Sequence, residues 1–518
     1  MRTGDDYKRS LRDGRKVWIM GEGRIEDMTT HPATRGLVEE YAAWYDRHLD
    51  PEWREVLYAP PGATGAGDPL AYIVPMNADD MTRMGRSFSE TVFASAGNMT
   101  HDAAYGNLIA LGILDGCQRM DVSKEQIANA AAYREEIVRT GRFLTFSQGG
   151  ATIGYRMRED PEERNALRIV RETDAGLVIR GKIGMHTSPP FADDIYIGSG
   201  CAVDYNDCRT TFVVPTNAPG VTIVCRKIAA RHANPFIAPL SSRFDELDGQ
   251  LWLDDVFIPW ERVFFTEPAP SSERPPFDPF RRGIASWLFW HQLYCWLAKG
   301  EFTLGIALAC ADAMGLKQHQ PTIEHLVDMV VDVQTVRSCL RAAELDHEVS
   351  VAGYAMPNNI HIASGSLAML KARQRLTETL RIIPGSSLVV APSDKDLADP
   401  EMAAGLEESF GGGGYTALQR SALLQLAWDH ISSGLDGRES AFELHANGGI
   451  PAWRHQARTR FTRYNELANK VLKALRVEMP EIDVASLAEA RLPRREVMPP
   501  EPKEHGTGNQ EQADSGRS

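Results

Sequence analysis

The spacing of apolar residues divides the chain into three stretches with different hydrophobic patterns. From Thr29 to about residue 131, apolar residues recur at intervals of three and four, as in LVEEYAAWYDRHL and GNLIALGILDGCQRM, which predicts helices. Between Phe143 and about Phe265, short runs such as GLVIRGKIGM and TTFVVPT are separated by Gly, Asn, Asp and Pro, which predicts strands. After the proline-rich segment EPAPSSERPPFDP, long amphipathic segments return and predict a bundle of four helices.

These hydrophobic patterns predict an α+β protein with three domains and a C-terminal tail. The boundaries fall at 1–140 for an N-terminal helical domain, 141–267 for a central β-domain and 268–480 for a C-terminal helix bundle. Residues 494–518 hold few apolar positions, and we expect them to be disordered. A ligand pocket is expected between the β-domain and the bundle, because binding sites concentrate at domain junctions.

Charge and hydropathy restrict the class of partner. The 518 residues carry 56 Lys and Arg against 70 Asp and Glu, a net charge of -14 that repels phosphate backbones and anionic lipid. The charged start MRTGDDYKRSLRDGRK is not followed by an apolar run, and no segment is expected to reach the roughly 18 apolar residues of a membrane-spanning helix. We therefore expect a cytoplasmic protein without nucleic-acid or membrane partners.

Cysteine and glycine patterns speak against metal and nucleotide sites. The seven cysteines are scattered without C-x-x-C pairs, so a zinc ribbon, a redox dithiol and a disulfide framework are disfavoured, and no metal is expected. The glycines from Gly411 to Gly414 follow a helical stretch, which favours a flexible turn over a phosphate-binding loop. An NAD or ATP site is therefore not expected.

Six longer motifs occur in the order in which one enzyme family has them. They are RTGDDYKRSLRDGRKVWIMGEGRIEDMTTHPATRG, MGRSFSE, ETDAGLVIRGKIGMHTS, LDDVFIPWERVF, PGSSLVVAPSDKDL and WDHISSGLDGRESAFELHANGG. Through these motifs, over nearly its whole length, the chain resembles the oxygenase components of the 4-hydroxyphenylacetate 3-monooxygenase family, which includes chlorophenol and nitrophenol monooxygenases.

The resemblance implies a fold, a cofactor and partners. The implied fold is acyl-CoA-dehydrogenase-like, with an N-terminal helical domain, a central β-barrel-like domain and a C-terminal helix bundle, usually assembled as a homotetramer. Reduced FAD would arrive as a co-substrate from a separate NAD(P)H:flavin reductase and react with O2. The implied reaction is oxygenation of a small aromatic or electron-rich substrate, nitrogen-containing ones included, in aromatic catabolism or natural-product biosynthesis.

The resemblance also places residues in the site. Thr187 matches a threonine close to the reactive edge of the flavin, where a hydroxyl can hold the flavin hydroperoxide. Arg86, in MGRSFSE, matches a substrate-pocket arginine that can stabilise a phenolate or carboxylate. Arg438, in GLDGRESAF, matches an arginine of the segment that contacts FAD. Further FAD contacts are expected from Gln148, Thr152 and Ser188.

Each of these residues has a structural alternative. Thr187 can be an ordinary polar residue at a strand end. Arg86 can form an ion pair between helices, and Arg438 can form a surface salt bridge. The glycine-containing loop FSQGGATIGY, which holds Gln148 and Thr152, can be an ordinary β-turn.

The sequence departs from the family's phenol-binding pattern at two positions. Glu90 stands where phenol hydroxylases have a tyrosine, and Phe146 stands where they have a histidine that binds or deprotonates the phenol. His186 or His101 can substitute for that histidine, although a lone histidine is more often structural. Glu90 is a candidate base or partner for a cationic amine, with a solvated helix carboxylate as its alternative. Phe146 predicts a substrate that reacts while neutral, such as an amine, pyrrole or indole.

Two other functions stay open on the sequence alone. An acyl-CoA dehydrogenase or dehydratase would retain FAD tightly and use a carboxylate base, and Glu90 supports it. The related 4-hydroxybutyryl-CoA dehydratases bind an iron-sulfur cluster through cysteines and a histidine. Here VFASAGNMTHD has no cysteine and Leu293 stands at the cysteine position near His291, while Cys295 keeps that branch open. A non-catalytic flavin-binding protein would follow if Phe146 marks an inactive site.

Overall fold

The structure of the chain is a computed structural model. It describes residues 1–120, 122–150, 167–198, 208–229, 234–268, 279–446, 449–475 and 477–489. The predicted FAD contact of Thr152 and the predicted disorder of residues 494–518 lie outside the described residues. Packing divides the chain into two compact units, Met1–Ala457 and Arg458–Ser518, and the domain boundaries near 140 and 267 stay a prediction.

Helices dominate both ends of the described chain. They are α1 (Gly4–Ser10), α2 (Arg35–Arg47), α3 (Arg54–Leu57), α4 (Ala78–Phe93), α5 (Ala104–Arg119), α6 (Lys124–Thr140), α7 (Pro279–Ala313), α8 (Gln320–Leu345), α9 (Asn359–Ile382), α10 (Ser387–Val390), α11 (Asp394–Ala398), α12 (Ala403–Phe410), α13 (Ala417–Ser432), α14 (Gly434–His445), α15 (Gly449–Arg460), α16 (Tyr464–Lys473) and α17 (Ser486–Glu489).

Local sequence explains where these helices begin and end. At α6, the Ser123 side chain accepts from Gln126 N while the Gln126 side chain caps Ser123 N, and Gly141 ends the helix with a φ of 64°. At α4, Asn77 accepts from Asp80 N, and two acidic residues in the first turn complement the helix dipole.

A mixed sheet of ten strands forms the centre. The strands are β1 (Val17–Ile19), β2 (Gly23–Ile25), β3 (Leu144–Gly150), β4 (Arg168–Thr173), β5 (Gly176–Thr187), β6 (Asp194–Ile197), β7 (Cys208–Pro215), β8 (Val221–Cys225), β9 (Asp248–Pro259) and β10 (Val263–Pro268), with a separate hairpin of β11 (Glu348–Val349) and β12 (Ala355–Met356). The order is β10-β7-β6-β3-β5-β9-β8-β1-β2, and β4 pairs with β5. The pairs β3–β6 and β1–β8 are parallel.

Two details of the sheet differ from the sequence prediction. The described strand pairs run as an open path from β10 to β2, so the central layer is a mixed sheet and not a closed barrel in this part of the chain. In addition, β1 and β2 come from the N-terminal region that was predicted to be helical. Their three-residue length gives them no recognisable alternation, and β1 is held by parallel pairing with the distant β8.

The long helix α7 is the centre of the bundle. It packs against α4, α5, α8, α9 and α13, and it carries the fully buried Trp287, Trp290 and Trp296. Contrary to the sequence prediction, its segment Gly283–Ala313 is long and apolar enough to cross a membrane by length and composition. In the structure, 67% of its most apolar window is buried inside the protein. Packing on several sides therefore accounts for its apolar composition.

Candidate active site

The last residue of β5 and the first residue of β9 form a polar pair. Thr187 and Asp248 lie opposite each other in the β5–β9 register, and the Thr187 hydroxyl donates a hydrogen bond of 3.0 Å to Asp248 Oδ1. Thr187 keeps 7% of its surface exposed, so it lies at the edge of the packed interior. The structure thus places the predicted Thr187 at a strand end, next to a carboxylate that sequence reasoning missed.

Two arginines hold Asp248 as a carboxylate. Arg438 Nε and Nη2 donate to its two oxygens at 2.9 and 2.6 Å, and Arg226 Nε donates at 2.9 Å. Burial alone would raise the pKa of Asp248, but the two guanidinium groups lower it to about 2. Asp248 is therefore ionised at neutral pH and can only accept hydrogen bonds.

Arg438, which the resemblance predicts to contact FAD, uses its guanidinium group for ion pairs inside the protein. Besides its two bonds to Asp248, it donates through Nη1 to Glu439, its neighbour on α14. The Arg438 side chain is almost fully buried, so its ion pairs are interior ones and not the surface salt bridge of the structural alternative. From α14, Arg438 orients Asp248 at the start of β9.

The residue after Thr187 has a strained backbone. Ser188 is fully buried with φ 59° and ψ 25°, a left-handed conformation that costs a non-glycine residue about 1 kcal/mol. Its N–H donates to Leu247 O at 2.9 Å, and its hydroxyl forms a hydrogen bond of 2.9 Å with Tyr41. These contacts fix the turn that follows Thr187, and they engage the hydroxyl predicted to contact FAD.

Buried Glu246 ties the loop between α4 and α5 to this turn. Its carboxylate accepts from Thr100 Oγ1 at 2.7 Å, from His101 N at 2.9 Å and from Tyr41 at 3.3 Å. His101 Nδ1 lies 2.9 Å from Thr100 Oγ1 and 4.0 Å from Glu246 Oε2. The same loop carries Asn98, whose Oδ1 is buried without a hydrogen-bond partner among the described residues.

A narrow polar cleft lies between α7, α9, α13 and α14. Lys299 on α7 donates to Glu439 at 3.0 Å and to Glu443 at 2.5 Å, and Arg373 on α9 also binds Glu443. Because Glu439 is also bonded to Arg438, buried ion pairs run without a break from this cleft to β9. The lining residues are Asn98, Lys299, Thr303, Met369, Arg373, Leu376, Thr377, His430, Ile431, Leu435, Asp436 and Glu439.

His186, one of the two histidines considered as a base, is buried beneath the sheet surface. Its Nε2 lies 3.3 Å from Ile183 O, and its Nδ1 has no hydrogen-bond partner in the described part of the chain. Burial lowers the pKa of His186 to about 4, so the ring is neutral at neutral pH. This geometry favours the structural alternative for His186.

Phe146 lies on β3, the strand next to β5. Its ring is half-buried and stacks on Tyr196 of β6, with ring centroids 5.8 Å apart and an interplanar angle of 13°. The adjacent Thr145 donates to Thr187 O at 2.7 Å, so Phe146 is one residue away from a direct contact with Thr187. Gln148 also belongs to β3, and its side chain lies outside the described part of the structure.

Arg86 and Glu90 lie one turn apart on the exposed side of α4. Within the described residues, the Arg86 guanidinium has no hydrogen-bond or ion-pair partner. Burial and the nearby charge of Glu90 raise the pKa of Glu301 on α7. Neither Arg86 nor Glu90 forms a hydrogen bond with Thr187 or Asp248, so the structure does not join them to that pair in the part of the chain that it describes.

The thiol near His291 belongs to a buried group of its own. Cys295 Sγ lies 3.7 Å from His291 Nδ1, and His291 Nε2 lies 3.6 Å from Asp102 Oδ1. All three side chains are fully buried. Among the described residues, no group of three or more His, Cys, Asp and Glu side chains is arranged to hold a metal ion.

The residues that sequence reasoning missed are charged and form ion pairs that are buried or partly buried. They include the partly buried Asp248 and Arg226 and the buried Lys299 and Glu439. One signal was available for the first of them, because DELDG places three acidic residues in four positions directly before the strand pattern QLWLDD. No comparable signal marks Lys299, which stands in the apolar helix α7.

Family models and curated relatives match nearly the whole chain. Residues 3–265 match the family model described as 4-hydroxyphenylacetate 3-hydroxylase N terminal, and residues 280–475 match the one described as its C terminal. A 4-hydroxyphenylacetate 3-monooxygenase oxygenase component of Thermus thermophilus is 28% identical over 447 residues, with 85% of this chain and 91% of the relative covered. The oxygenase component of a 4-nitrophenol 4-monooxygenase/4-nitrocatechol 2-monooxygenase of Rhodococcus opacus is 30% identical over 455 residues, covering 86% and 85%.

Solved structures give the same result. The oxygenase component of 4-hydroxyphenylacetate 3-monooxygenase complexed with FAD is similar with a TM-score of 0.81 and 26% identity, covering 92% of this chain and 98% of that one. An archaeal 4-hydroxybutyryl-CoA dehydratase, with a TM-score of 0.76 and 18% identity over 95% and 99% of the two chains, shares the fold alone. These findings confirm the predicted acyl-CoA-dehydrogenase-like fold. The chain therefore belongs to the 4-hydroxyphenylacetate 3-hydroxylase family of FAD-dependent monooxygenases.

Proposed function

We propose that this oxygenase component of a two-component flavin monooxygenase oxygenates a small, electron-rich ring that reacts without prior deprotonation. The observation that carries the proposal is the position of Phe146, an apolar ring on the strand next to Thr187. An apolar wall disfavours a phenolate by desolvation, whereas a neutral amine, pyrrole or indole is nucleophilic without losing a proton.

In this proposal the reduced flavin binds beside Thr187 and Asn98. Thr187 offers a hydroxyl oxygen at the edge of the interior, and Asn98 Oδ1 is a buried acceptor without a partner. A buried acceptor left unpaired costs about 1–3 kcal/mol, and an N–H of the flavin ring would remove that cost. When bound, reduced FAD supplies the electrons that activate O2. Thr187 and Asn98 would hold the ring, and Arg438 and Arg226 would act through Asp248.

On the substrate side, α4 offers two charged groups. Arg86 is exposed and unpaired within the described residues, so its planar donors are available to an anionic group of the substrate. Glu90, one turn further along, would attract a cationic amine. Both roles are part of the proposal, and both place the substrate against α4 while the flavin lies against β5.

Two further features belong to the same proposal. We expect a homotetramer, because Val327, Val330 and Val331 form an apolar stripe on α8 with exposed fractions of 53, 47 and 57%. We also expect the enzyme to act in the cytoplasm, since Cys117, Cys225, Cys295, Cys310 and Cys339 are free thiols, as is usual in a reducing compartment. The separate flavin reductase would supply the reduced FAD.

The test supplies chemically reduced FAD and isotope-labelled O2 to the purified protein. Phenols, anilines, indoles and pyrroles are screened for products that gain one labelled oxygen atom. We expect turnover without NAD(P)H, with anilines, pyrroles or indoles preferred over phenols. A preference for simple phenols would contradict the substrate proposal and leave the monooxygenase class intact. FAD that survives dialysis in stoichiometric amount, without oxygen incorporation, would favour a dehydrogenase.

A further inference from the structure

The Thr187 hydroxyl has a fixed hydrogen-bonding polarity. A threonine hydroxyl carries a single proton, and Thr187 gives it to Asp248 Oδ1 at 3.0 Å. Asp248 accepts three other hydrogen bonds, one from Arg226 and two from Arg438, and it has no proton to return. What Thr187 presents to a ligand is therefore the lone-pair side of its oxygen, which can only accept.

When a flavin ring is reduced, its N5 atom changes from a hydrogen-bond acceptor to a hydrogen-bond donor. The N5 atom of reduced flavin carries a hydrogen and donates, whereas N5 of oxidised flavin is a bare acceptor. An acceptor facing an acceptor leaves both groups unpaired and excludes the water that could serve them. A threonine that can only accept therefore distinguishes the two redox forms.

We propose that Asp248 is a positioning residue that fixes Thr187 as an acceptor and so makes the site select reduced FAD over oxidised FAD. The proposal rests on the proposed function, in which Thr187 faces the reactive edge of the flavin. Asp248 need not touch the cofactor, because its effect passes through the proton of Thr187. Arg438 and Arg226 contribute by keeping Asp248 in place.

The chain offers a matched control for Asp248. Asp245 also binds Arg226 and accepts from Ala229 N at 2.6 Å, yet it forms no hydrogen bond with Thr187. The variants Asp248→Asn and Asp245→Asn each remove one negative charge from the same arginine cluster. Only the first gives the Thr187 oxygen a neighbouring amide donor, which frees the threonine proton for the ligand.

The experiment measures dissociation constants for oxidised FAD and for chemically reduced FAD by anaerobic titration, without any substrate. We expect wild type and Asp245→Asn to bind reduced FAD more tightly. In Asp248→Asn the ratio of the two constants should fall on the order of ten-fold, mainly through tighter binding of oxidised FAD. Thr187→Val, which leaves the ion pairs of Asp248 intact, should lose the same preference through weaker binding of reduced FAD.

The outcomes separate the two proposals. An unchanged ratio in Asp248→Asn, with wild-type preference for reduced FAD, would overturn the role of Asp248 while the proposed function stands, whatever Thr187→Val does. An equal fall of the ratio in Asp245→Asn would also overturn it, because the effect would then be one of charge alone. A wild-type protein that binds neither form would refute the proposed function itself. If Asp248→Asn does not fold, Asp248→Glu, which keeps the charge and displaces the carboxylate from Thr187, replaces it in the titration, and the same fall in the ratio is expected.

Discussion

At the scale of single residues, Phe146 is the position where a small change should alter the substrate range. Its ring is half-buried against Tyr196, and the neighbouring Thr145 bonds to the backbone of Thr187. We expect Phe146→His to increase kcat/KM for 4-hydroxyphenyl substrates, because general-base assistance contributes about 10²–10⁴ in rate. Steady-state oxygenation with reduced FAD supplied in excess measures the change.

Phe146→Leu is the control for that prediction. It keeps an apolar side chain and removes the stacking on Tyr196, so it should lower activity on every substrate without changing their order. Equal gains on phenols in both variants would mean that space, and not the imidazole, limits phenol binding. Wild type that already favours phenols would redirect the search for a base to His101, which lies in the network around Glu246.

His430 on α13 should give the enzyme a measurable sensitivity to acid. Its Nε2 lies 2.7 Å from Thr303 Oγ1, and Thr303 gives its own proton to Lys299 O, so Nε2 must carry the donated proton. Burial, followed by the charges of Lys299 and Arg373, lowers the pKa of His430 to about 3. In the unfolded chain the same group has a pKa of about 6.5.

The sign of the pH effect follows from these two values. Because the pKa of His430 is lower in the folded protein, acid protonates this residue first in the unfolded chain. Its contribution to the free energy of unfolding is fully present above pH 6.5 and is lost toward pH 3, at about 1.4 kcal/mol per pH unit. We expect His430→Gln to be less stable than wild type near neutral pH and to lose less stability on acidification. Urea unfolding at several values between about pH 6.5 and 5 tests this, and parallel curves for the two proteins would refute it.

The polarity of Thr187 shows why single-residue roles escaped prediction. The position of Thr187 at a strand end could be predicted, and the resemblance to the family placed it at the reactive edge of the flavin without fixing where its own proton goes. That proton goes to Asp248, 61 positions further along the chain. A local pattern cannot reveal a hydrogen-bond partner that only the register between β5 and β9 brings opposite.

At the scale of elements, Lys299 joins α7 to α14 in the interior of the protein. Its ammonium group lies 3.0 Å from Glu439 and 2.5 Å from Glu443, and all three side chains are at most 4% exposed. We expect Lys299→Met to destabilise the protein by about 3–5 kcal/mol, because it removes one cation from a buried cluster, in which Glu439 then keeps Arg438 and Glu443 keeps Arg373. Thermal or urea unfolding measures the loss.

The surface pair Arg9–Asp6 on α1 is the matched comparison. Its side chains are 66 and 44% exposed, so Arg9→Met removes a similar ion pair from a solvated position. No measurable change in stability is expected there. A loss as large as that of Lys299→Met would mean that ion pairing as such, and not burial, decides the effect.

Elements with a strong local signature could be predicted, and weakly marked ones could not. The helical spacing in GNLIALGILDGCQRM corresponds to α5, and the turn expected at Gly411–Gly414 follows α12 with positive φ at Gly412, Gly413 and Gly414. The short strands β1 and β2 were missed because β1 depends on the distant β8 for its pairing and β2 pairs with β1. The prediction that no segment is long and apolar enough to span a membrane was wrong at α7, because a helix buried on several sides is as apolar as one in lipid.

At the scale of the whole molecule, the order of the hydrophobic patterns along the chain was enough to predict the fold class. Helices, then strands, then helices correspond to the order of α1–α6, the strands β3–β10 and α7–α17 in the structure, and the motif order pointed to the acyl-CoA-dehydrogenase-like fold. The strand order did not follow from the sequence, since β3 pairs with β5 and β6. The buried ion pairs that connect α7, α14 and β9 depend on that order, which is why they emerged only from the structure.

The apolar stripe on α8 makes the assembly testable. Scattered exposed valines are ordinary, but Val327, Val330 and Val331 lie at intervals of three and four on one side of the helix. If this side is a subunit interface, Val331→Glu buries a charge at each copy of it and should convert the homotetramer into smaller species, as measured by light scattering after size exclusion. Val351→Glu, at a valine that is 54% exposed between β11 and β12, should stay tetrameric. A Val331→Glu protein that remains a tetramer would place the interface elsewhere, and a monomeric wild type would refute the assembly itself.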